Sequence, residues 1–494
     1  MILFLLGHTY KYECEKVCRI FFPTEKIIFA DGLSSSLPED GKRVITEISK
    51  RGSFTDYICK AEINGKFSCH TVTEKSDKKG VIEENSLAAA MIKSLSEITG
   101  AVPPWGILTG VRPSKLMRKL IASGGEKEAK EIFSSELMVS DKKTQLAFDV
   151  AMAENEAIAL SKPDSFSLYI AIPFCPTRCS YCSFVSHSVA QAKKLIPEYV
   201  KLLCEEIKQT SAYAKSLSLK LETVYFGGGT PTSLSADDIK KLLNAVNESF
   251  DAANCREFTV EAGRPDTIDE EKLRVLKNAG VGRISINPQT FSDEVLLNIG
   301  RRHKSCETEE KFLLARSLGF NNINMDFIAG LTGDTLQGFK NSIERALVLS
   351  PENITVHTLA LKRASRMSAE NEQTESALLT ADMVEYSNSA LSKSGYMPYY
   401  MYRQSKSLGN LENVGWTLPG RDCLYNIYMM EETHTVLSCG AGAVTKLKEP
   451  NGENIERIYN FKYPYEYISR FSELTDRKKY IEEFYLKGKT DGKR

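Results

Sequence analysis

Cys175, Cys179 and Cys182 lie in the stretch AIPFCPTRCSYCSF, residues 171–184, spaced three residues and then two, directly after a run that reads as a β-strand. Thiolates at this spacing can close around one compact centre. A structural zinc ion takes four ligands. The fourth is not obvious here, since His187 is near in sequence but no second cysteine pair follows. An iron–sulfur cluster held by three thiolates leaves one iron open to bind and activate a small molecule. The spacing favours the cluster, with zinc and three unrelated packing cysteines as the alternatives. The other nine of the twelve cysteines are scattered. Free cysteine is commonly buried as a small apolar residue, and Cys14 and Cys18, at helical spacing with no further ligand nearby, read that way.

A second stretch, YFGGGTPTSL, places Gly227, Gly228, Gly229 and Thr230 at another strand end. Glycines there allow positive φ and close approach of a ligand to the backbone. A phosphate loop would need the Lys-Ser/Thr pair or a G-x-G-x-x-G run, and neither is present. A tight strand-to-helix turn is the plain alternative.

These loops need a scaffold, and the sequence supplies a regular one. SLYIAI, TVYFGG, EFTVEA, RISINPQ, NINMDFIAG and NITVHTLAL read as six strands, five of them followed by helical segments. That alternation predicts an α/β fold with a parallel sheet curled into a partial or full barrel. Chemistry in such barrels sits at the C-terminal strand ends, where every candidate group falls. Before SKPDS (161–165), residues 1–160 mix short β-type runs with helical stretches, giving an N-terminal α+β domain. Asn85 or Ser86 is expected to cap a helix that Gly100 stops. The core is expected over 166–363 and a mixed C-terminal extension over 364–494, with a helical, charged tail after Arg470 read as a solvated face.

The chain has 494 residues, with 64 basic side chains balancing 64 acidic ones. No overall field draws it to nucleic acid or an anionic membrane. MILFLLGHTYKYE reads as a first strand rather than a signal peptide, and no apolar stretch approaches the ~20 residues of a membrane helix. A cytoplasmic location is expected, where clustered cysteines are more often metal ligands than disulfides.

Together the C-x3-C-x2-C loop and the GGTP motif resemble the radical S-adenosylmethionine superfamily. The resemblance implies a [4Fe-4S] cluster on Cys175, Cys179 and Cys182, with S-adenosyl-L-methionine on the open iron and a partial (β/α)6 TIM-like barrel. More narrowly, the chain resembles the oxygen-independent coproporphyrinogen III oxidase group, the HemN, HemW and HemZ families. Its longest agreement is with HemZ-type coproporphyrinogen dehydrogenases, through TGVRPSK, EAGRPDTI, VHTLALKRAS and YRQSKSLGNLENVGW. By that resemblance Tyr169 matches the family's tyrosine before the first cysteine and is taken as catalytic. Gly227, Gly228, Gly229, Thr230, Glu261, Gln289, Arg301 and Asp326 would contact the cofactor, Glu261 at its ribose and Arg301 at its carboxylate.

The implied reaction is oxidative decarboxylation of two propionates of coproporphyrinogen III to vinyl groups, giving protoporphyrinogen IX. It calls for a one-electron donor and an electron acceptor. Four propionates around an apolar macrocycle need arginines beside aromatic walls, for which Arg363, Arg366, Arg403 and Trp416 are candidates at the barrel mouth. The chain also departs from its relatives. Phe184 stands where HemN-type enzymes carry a fourth cysteine, and Ala171 where HemW-type proteins carry a histidine. A HemW-like haem chaperone or another radical enzyme acting on a tetrapyrrole is therefore the alternative; a tRNA-modifying enzyme would need a basic RNA-binding region that the sequence lacks.

Overall fold

A computed structural model describes the chain except for residues 24, 31–40, 77–80, 185, 361–373, 405–406 and 492–494. The chain groups into two compact units, Met1–Ala151 with Tyr402–Glu412, and Met152–Met401 with Asn413–Arg494.

The first unit holds strands β1 (Ile2–Leu6), β2 (Ile28–Ala30), β3 (Lys42–Arg51), β4 (Phe54–Ile63) and β5 (Lys66–Lys75) in the order β2-β1-β3-β4-β5. β4 alternates strictly, with Thr55, Tyr57, Cys59, Ala61 and Ile63 buried. Period-two burial of this kind marks a sheet covered on one face. The cover includes helices Lys11–Phe21 and Val81–Thr99. Cys14 and Cys18 are buried in that layer as packing residues. The second helix begins at Val81, so Asn85 and Ser86 lie inside it instead of capping it. Gly100, at φ +72°, ends it as expected.

The second unit is built on β6 (Ser165–Ile172), β7 (Phe174–Cys175), β8 (His187–Ser188), β9 (Lys220–Gly228), β10 (Glu257–Gly263), β11 (Arg283–Ile286), β12 (Ile323–Ala329), β13 (Asn353–Thr358), β14 (Met397–Arg403), β15 (Glu412–Thr417), β16 (Thr435–Cys439), β17 (Val444–Lys448) and β18 (Ile455–Tyr459). The six expected strands are all present and run β6-β9-β10-β11-β12-β13 in parallel, in chain order. Side-chain caps start the crossover helices where the sequence pattern puts them: Ser235, Asp269, Ser292 and Thr335 each accept a backbone N–H of the first turn. Such caps satisfy donors that a helix start leaves orphaned.

The sheet does not close. β13 pairs antiparallel with β15, β6 pairs parallel with β16, and the full order is β14-β15-β13-β12-β11-β10-β9-β6-β16-β17-β18. A full barrel is thereby excluded, and what stands is a mixed α/β unit on an open sheet. Among the described residues after 373, β14 and β15 extend this sheet at one edge and β16, β17 and β18 at the other, and no third compact unit is formed. Among the described residues of the tail, Glu473, Asp476, Arg477 and Lys479 are exposed, in keeping with a solvated face, but Lys478 is an exception: it is only 1% exposed and pairs with the equally buried Glu206 at 2.7 Å.

Candidate functional site

β6 delivers Cys175 through the short ribbon β7–β8, in which Phe174 pairs with His187 and Cys175 with Ser188. The next turn, Gly227–Thr230, is stitched under that ribbon: the Gly229 and Thr230 amides donate to the carbonyls of Ile172 and Phe174, each at 2.8 Å. Gly228 sits at φ +104°, and a Cβ on Gly229 would lie 2.6 Å from the Phe174 oxygen and 2.7 Å from that of Ile172. Gly229 is therefore required by close contact with the backbone leading into the cysteine loop, and Gly228 by its positive φ. Gly229→Ala is expected to push that loop away, costing about 1–3 kcal/mol as overpacking does and lowering iron uptake on reconstitution. Wild-type iron content and an unchanged urea midpoint in that variant would contradict this reading.

Thr230 Oγ1 donates to the Cys175 sulfur at 3.5 Å. The Cys182 amide donates to the Cys179 carbonyl at 3.2 Å, and the Ser180 amide to Ile299 O at 3.1 Å, which ties the loop to the chain after β11. Burial pushes the Cys175 thiol up, and the Cys182 thiol up to about 11. A ligand that binds only thiolates must reverse that shift. Among the described residues no three His, Cys, Asp or Glu side chains converge as ligands of a single ion would.

Beside this loop a polar row follows the C-terminal ends of the strands. Register pairs Tyr169 with Tyr225, Glu261 with Ser285, Ser285 with Asn324, and Asp326 with Thr355. Because side chains two apart share a face, these residues with Asn287 and His357 form one continuous face. Tyr225 donates to Glu261 at 2.6 Å, and Asn324 to Ser285 at 2.9 Å and to Asp326 at 2.7 Å. Tyr425, from the helix Leu424–Glu431, stacks on Tyr225 at 4.3 Å and on Tyr169 at 6.1 Å between ring centroids. Its hydroxyl is buried without a partner.

The two carboxyls on this face are tuned in opposite directions. Burial pushes Glu261 up to about 7, against the hydrogen bond from Tyr225. Burial acts on Asp326 too, but His357 at 3.9 Å, Asn324 and Thr355 hold its pKa below the ordinary value. The sign for stability follows. Below about pH 4.5 folded and unfolded chains both hold the Glu261 proton; between there and about 7 only the folded chain does, so stability falls as pH rises through that window. The loss is about 3 kcal/mol at 1.36 kcal/mol per unit. Glu261→Gln should flatten that part of the urea-midpoint profile of the ligand-free protein; an identical profile would reject the assignment.

Gln289 follows β11 at φ +68° and bridges to β12, its amide donating to Asp326 O at 2.9 Å and its carbonyl accepting from the Ile328 amide at 3.1 Å. A non-glycine residue held there is strained, and the strain persists only because its neighbours fix it. Arg301 donates to Asn287 O at 2.5 Å and to Tyr181 Oη at 3.1 Å. Although burial opposes its charge, Tyr181 and Cys179 raise its pKa further. Tyr181 is a partner that sequence reading missed, since the arginine it meets lies 120 residues away.

Of the expected substrate contacts, Arg363 and Arg366 lie outside the described residues. Arg403 is 3% exposed within the first unit, where it donates to the carbonyls of Leu108, Gly110 and Asn410 and lies 5.3 Å from the Trp105 ring. Its guanidinium is thus committed to main-chain oxygens, so a mouth-lining role is not what the structure gives it. Trp416 is buried on β15 opposite Ile354, with its indole N–H unpartnered. A groove of about 910 Å³ lies at the opposite ends of the strands, lined among others by Asn247, Arg256, Asn278, Asn322 and Arg421, and shares no residue with the cysteine loop. No helix of the described residues is long and apolar enough to cross a membrane.

Residues 169–346 match the model of the Radical SAM superfamily. The solved structure of HemN from Escherichia coli, titled a coproporphyrinogen III oxidase and radical SAM enzyme, covers 66% of this chain and 73% of its own, with a TM-score of 0.51 and 22% identity. At that identity the likeness is one of fold. The class is thus a radical SAM protein. HemZ of Bacillus subtilis (strain 168), described as an oxygen-independent coproporphyrinogen-III oxidase-like protein, is 41% identical over 433 residues, 86% of each chain. The heme chaperone HemW of Lactococcus lactis subsp. lactis is 33% identical over 309 residues, covering 61% of this chain and 74% of its own. The chain belongs to the radical SAM superfamily and, within it, to the family of HemZ-like oxygen-independent coproporphyrinogen-III oxidase-like proteins.

Proposed function

We propose that the protein oxidatively decarboxylates two propionates of coproporphyrinogen III to vinyl groups, with Cys175, Cys179 and Cys182 holding a [4Fe-4S] cluster. The observation that carries this is the juxtaposition of the cysteine loop, pinned by Gly229 and Thr230, with the polar row that includes Glu261 and Asp326. Three cysteines at C-x3-C-x2-C spacing with no obvious fourth ligand in the sequence fit a cluster with one open iron better than a closed four-ligand zinc site. When bound, the cluster and S-adenosylmethionine together supply a 5′-deoxyadenosyl radical, chemistry that belongs to the cofactor.

The chain's own residues bind and orient. The Glu261 carboxyl, placed on this face by β10 and held by Tyr225, is suited to paired ribose hydroxyls, and binding there would draw its pKa below 7 because the ligand donates to the ionised form. Asp326, kept ionised, is a second acceptor on the adenosine side. Arg301 supplies a fixed, dry guanidinium beside the loop for the cofactor carboxylate. The Tyr169–Tyr225–Tyr425 stack walls the same space and excludes water, and Tyr169, which matches the family's tyrosine before the first cysteine, is assigned the catalytic position. Holding the target carbon in place is the main task left to the protein.

Each turn removes one hydrogen atom from a propionate β-carbon, one electron to an acceptor and one carbon dioxide, leaving a vinyl group. An anaerobic incubation with coproporphyrinogen III, S-adenosylmethionine, a low-potential reductant and a mild electron acceptor tests this. Mass spectrometry is expected to find the tetrapyrrole lighter by carbon dioxide and two hydrogens, once and then twice, with 5′-deoxyadenosine formed in step. Deoxyadenosine with an intact porphyrinogen would overturn the substrate. The second reading, haem handling, is favoured by Phe184, 65% exposed beside Cys182 where HemN-type enzymes have a cysteine. Tight haemin binding without porphyrinogen turnover would support it.

A further inference from the structure

Arg264 is absent from the roles that the resemblance supplies, yet it is the most constrained cation beside the cysteine loop. It leaves the end of β10, its side chain is 3% exposed, and its guanidinium meets both oxygens of Asp266, Nε to Oδ1 at 2.9 Å and Nη2 to Oδ2 at 2.7 Å. A bidentate pair of this kind fixes the guanidinium plane. The remaining nitrogen, Nη1, is thereby aimed at the loop. It donates to Thr177 Oγ1 at 2.7 Å and stands 4.0 Å from the Cys179 sulfur. Thr177 passes the restraint on by donating to Gly300 O at 2.9 Å.

Charge bookkeeping around this contact leaves a surplus. Arg264 and Arg301 are both buried cations near Cys179, and Asp266 is the acid between them. His303, whose side chain is fully buried 4.0 Å from Asp266, has neither ring nitrogen partnered. Burial and then Arg301 push its pKa down to about 4, so it is neutral at pH 7. One net positive charge therefore faces a thiolate in a dry setting, where electrostatic effects are strongest. Hydrogen bonds to the sulfurs and local charge are the levers that set the potential of an iron–sulfur centre.

We propose that Arg264 is a positioning residue for the cluster, holding the Cys175–Cys182 loop through Thr177 and raising the reduction potential of the centre through Cys179. This rests on the cluster reading of the three cysteines. The test is an EPR-monitored redox titration of the reconstituted full chain without S-adenosylmethionine, comparing wild type with Arg264→Met, Arg264→Lys and Thr177→Val. In Arg264→Met the reduced-to-oxidised ratio at a fixed solution potential should fall about tenfold, which is 59 mV for a one-electron couple. Arg264→Lys, which keeps the charge, should recover most of that shift. Thr177→Val, which keeps Arg264, should lower iron loading but leave the midpoint of the loaded fraction unchanged.

If Arg264→Met takes up no cluster, the comparison is made on Asp266→Asn, which frees the guanidinium and removes the compensating acid. Its midpoint should then rise. A loaded Arg264→Met or Asp266→Asn protein with the wild-type midpoint would overturn the proposal. A wild-type protein that itself takes up no cluster would instead overturn the reading on which it rests.

Discussion

Cys179→Ala is expected to abolish the cluster's visible absorbance and S-adenosylmethionine cleavage together. Cys179 is buried at the centre of the loop, with Arg264 Nη1 at 4.0 Å and Cys175 and Cys182 on either side in sequence. Two remaining thiolates cannot hold a cuboidal cluster whose fourth iron must stay open for the cofactor. Iron per chain after reconstitution should fall from the full complement to near background, and 5′-deoxyadenosine to the level of a control without protein. The fold should survive, because the loop is held independently by the Gly229 and Thr230 amides and by Ser180. Cys69→Ala, at an exposed position in the first unit, should change none of these readings. Wild-type absorbance in Cys179→Ala would remove that residue from the ligand set.

The second large effect lies away from the chemistry. Lys478→Met should destabilise the protein by about 3–5 kcal/mol, the cost of leaving a buried charge uncompensated. Lys478 donates to Glu206 Oε1 at 2.7 Å and to Thr210 Oγ1 and Ser438 O, each at 2.9 Å. Although burial opposes the ammonium charge, Cys439 and Glu206 keep its pKa raised. Glu206 accepts in addition from the Gly440 amide and Tyr467 Oη at 2.7 Å and from Asn460 at 2.8 Å. The network continues through Tyr199, whose hydroxyl accepts from the Ala441 amide and donates to Ala171 O on β6. Its loss should therefore also loosen the strand that delivers Cys175. The double variant Lys478→Met, Glu206→Gln should recover part of the loss, since no charge is then stranded. Urea unfolding reads both; a single variant within about 0.5 kcal/mol of wild type would show that the pair is dispensable.

Period and punctuation made the six parallel strands and their crossover helices legible. The run NINMDFIAG alternates at first, with Ile323, Met325 and Phe327 buried and Asn324 and Asp326 half-buried on the site face, and Ser235, Asp269, Ser292 and Thr335 announce the helices that follow the strands. The edges of the sheet were not legible. β14 is MPYYMYR, whose tyrosines look like loop composition until its place beside β15 at the sheet edge buries Tyr399 and Tyr400. The burial of Lys478 was equally hidden, because a charged helix looks solvated unless its partner, 272 residues earlier in the chain at Glu206, is known to face it.

At the site, motif spacing yields the cysteines and glycines, because their roles depend on local backbone geometry. The residues that hold them come from distant strands. Arg264 meets Thr177 across 87 positions, and Tyr425 meets Tyr225 across 200. EAGRPDTI carried a signal for Arg264, an arginine two residues before an aspartate at a strand end, but only the fold gives that pair a target.

The central claim is that three thiolates hold a cluster whose open iron takes S-adenosylmethionine. EPR of the reconstituted, dithionite-reduced protein with and without that cofactor tests it most directly. The account predicts the signal of a reduced [4Fe-4S] centre that changes its g-values when S-adenosylmethionine is added, with four irons and four sulfides per chain. A protein that binds one zinc, or a cluster whose spectrum is indifferent to the cofactor, would contradict it.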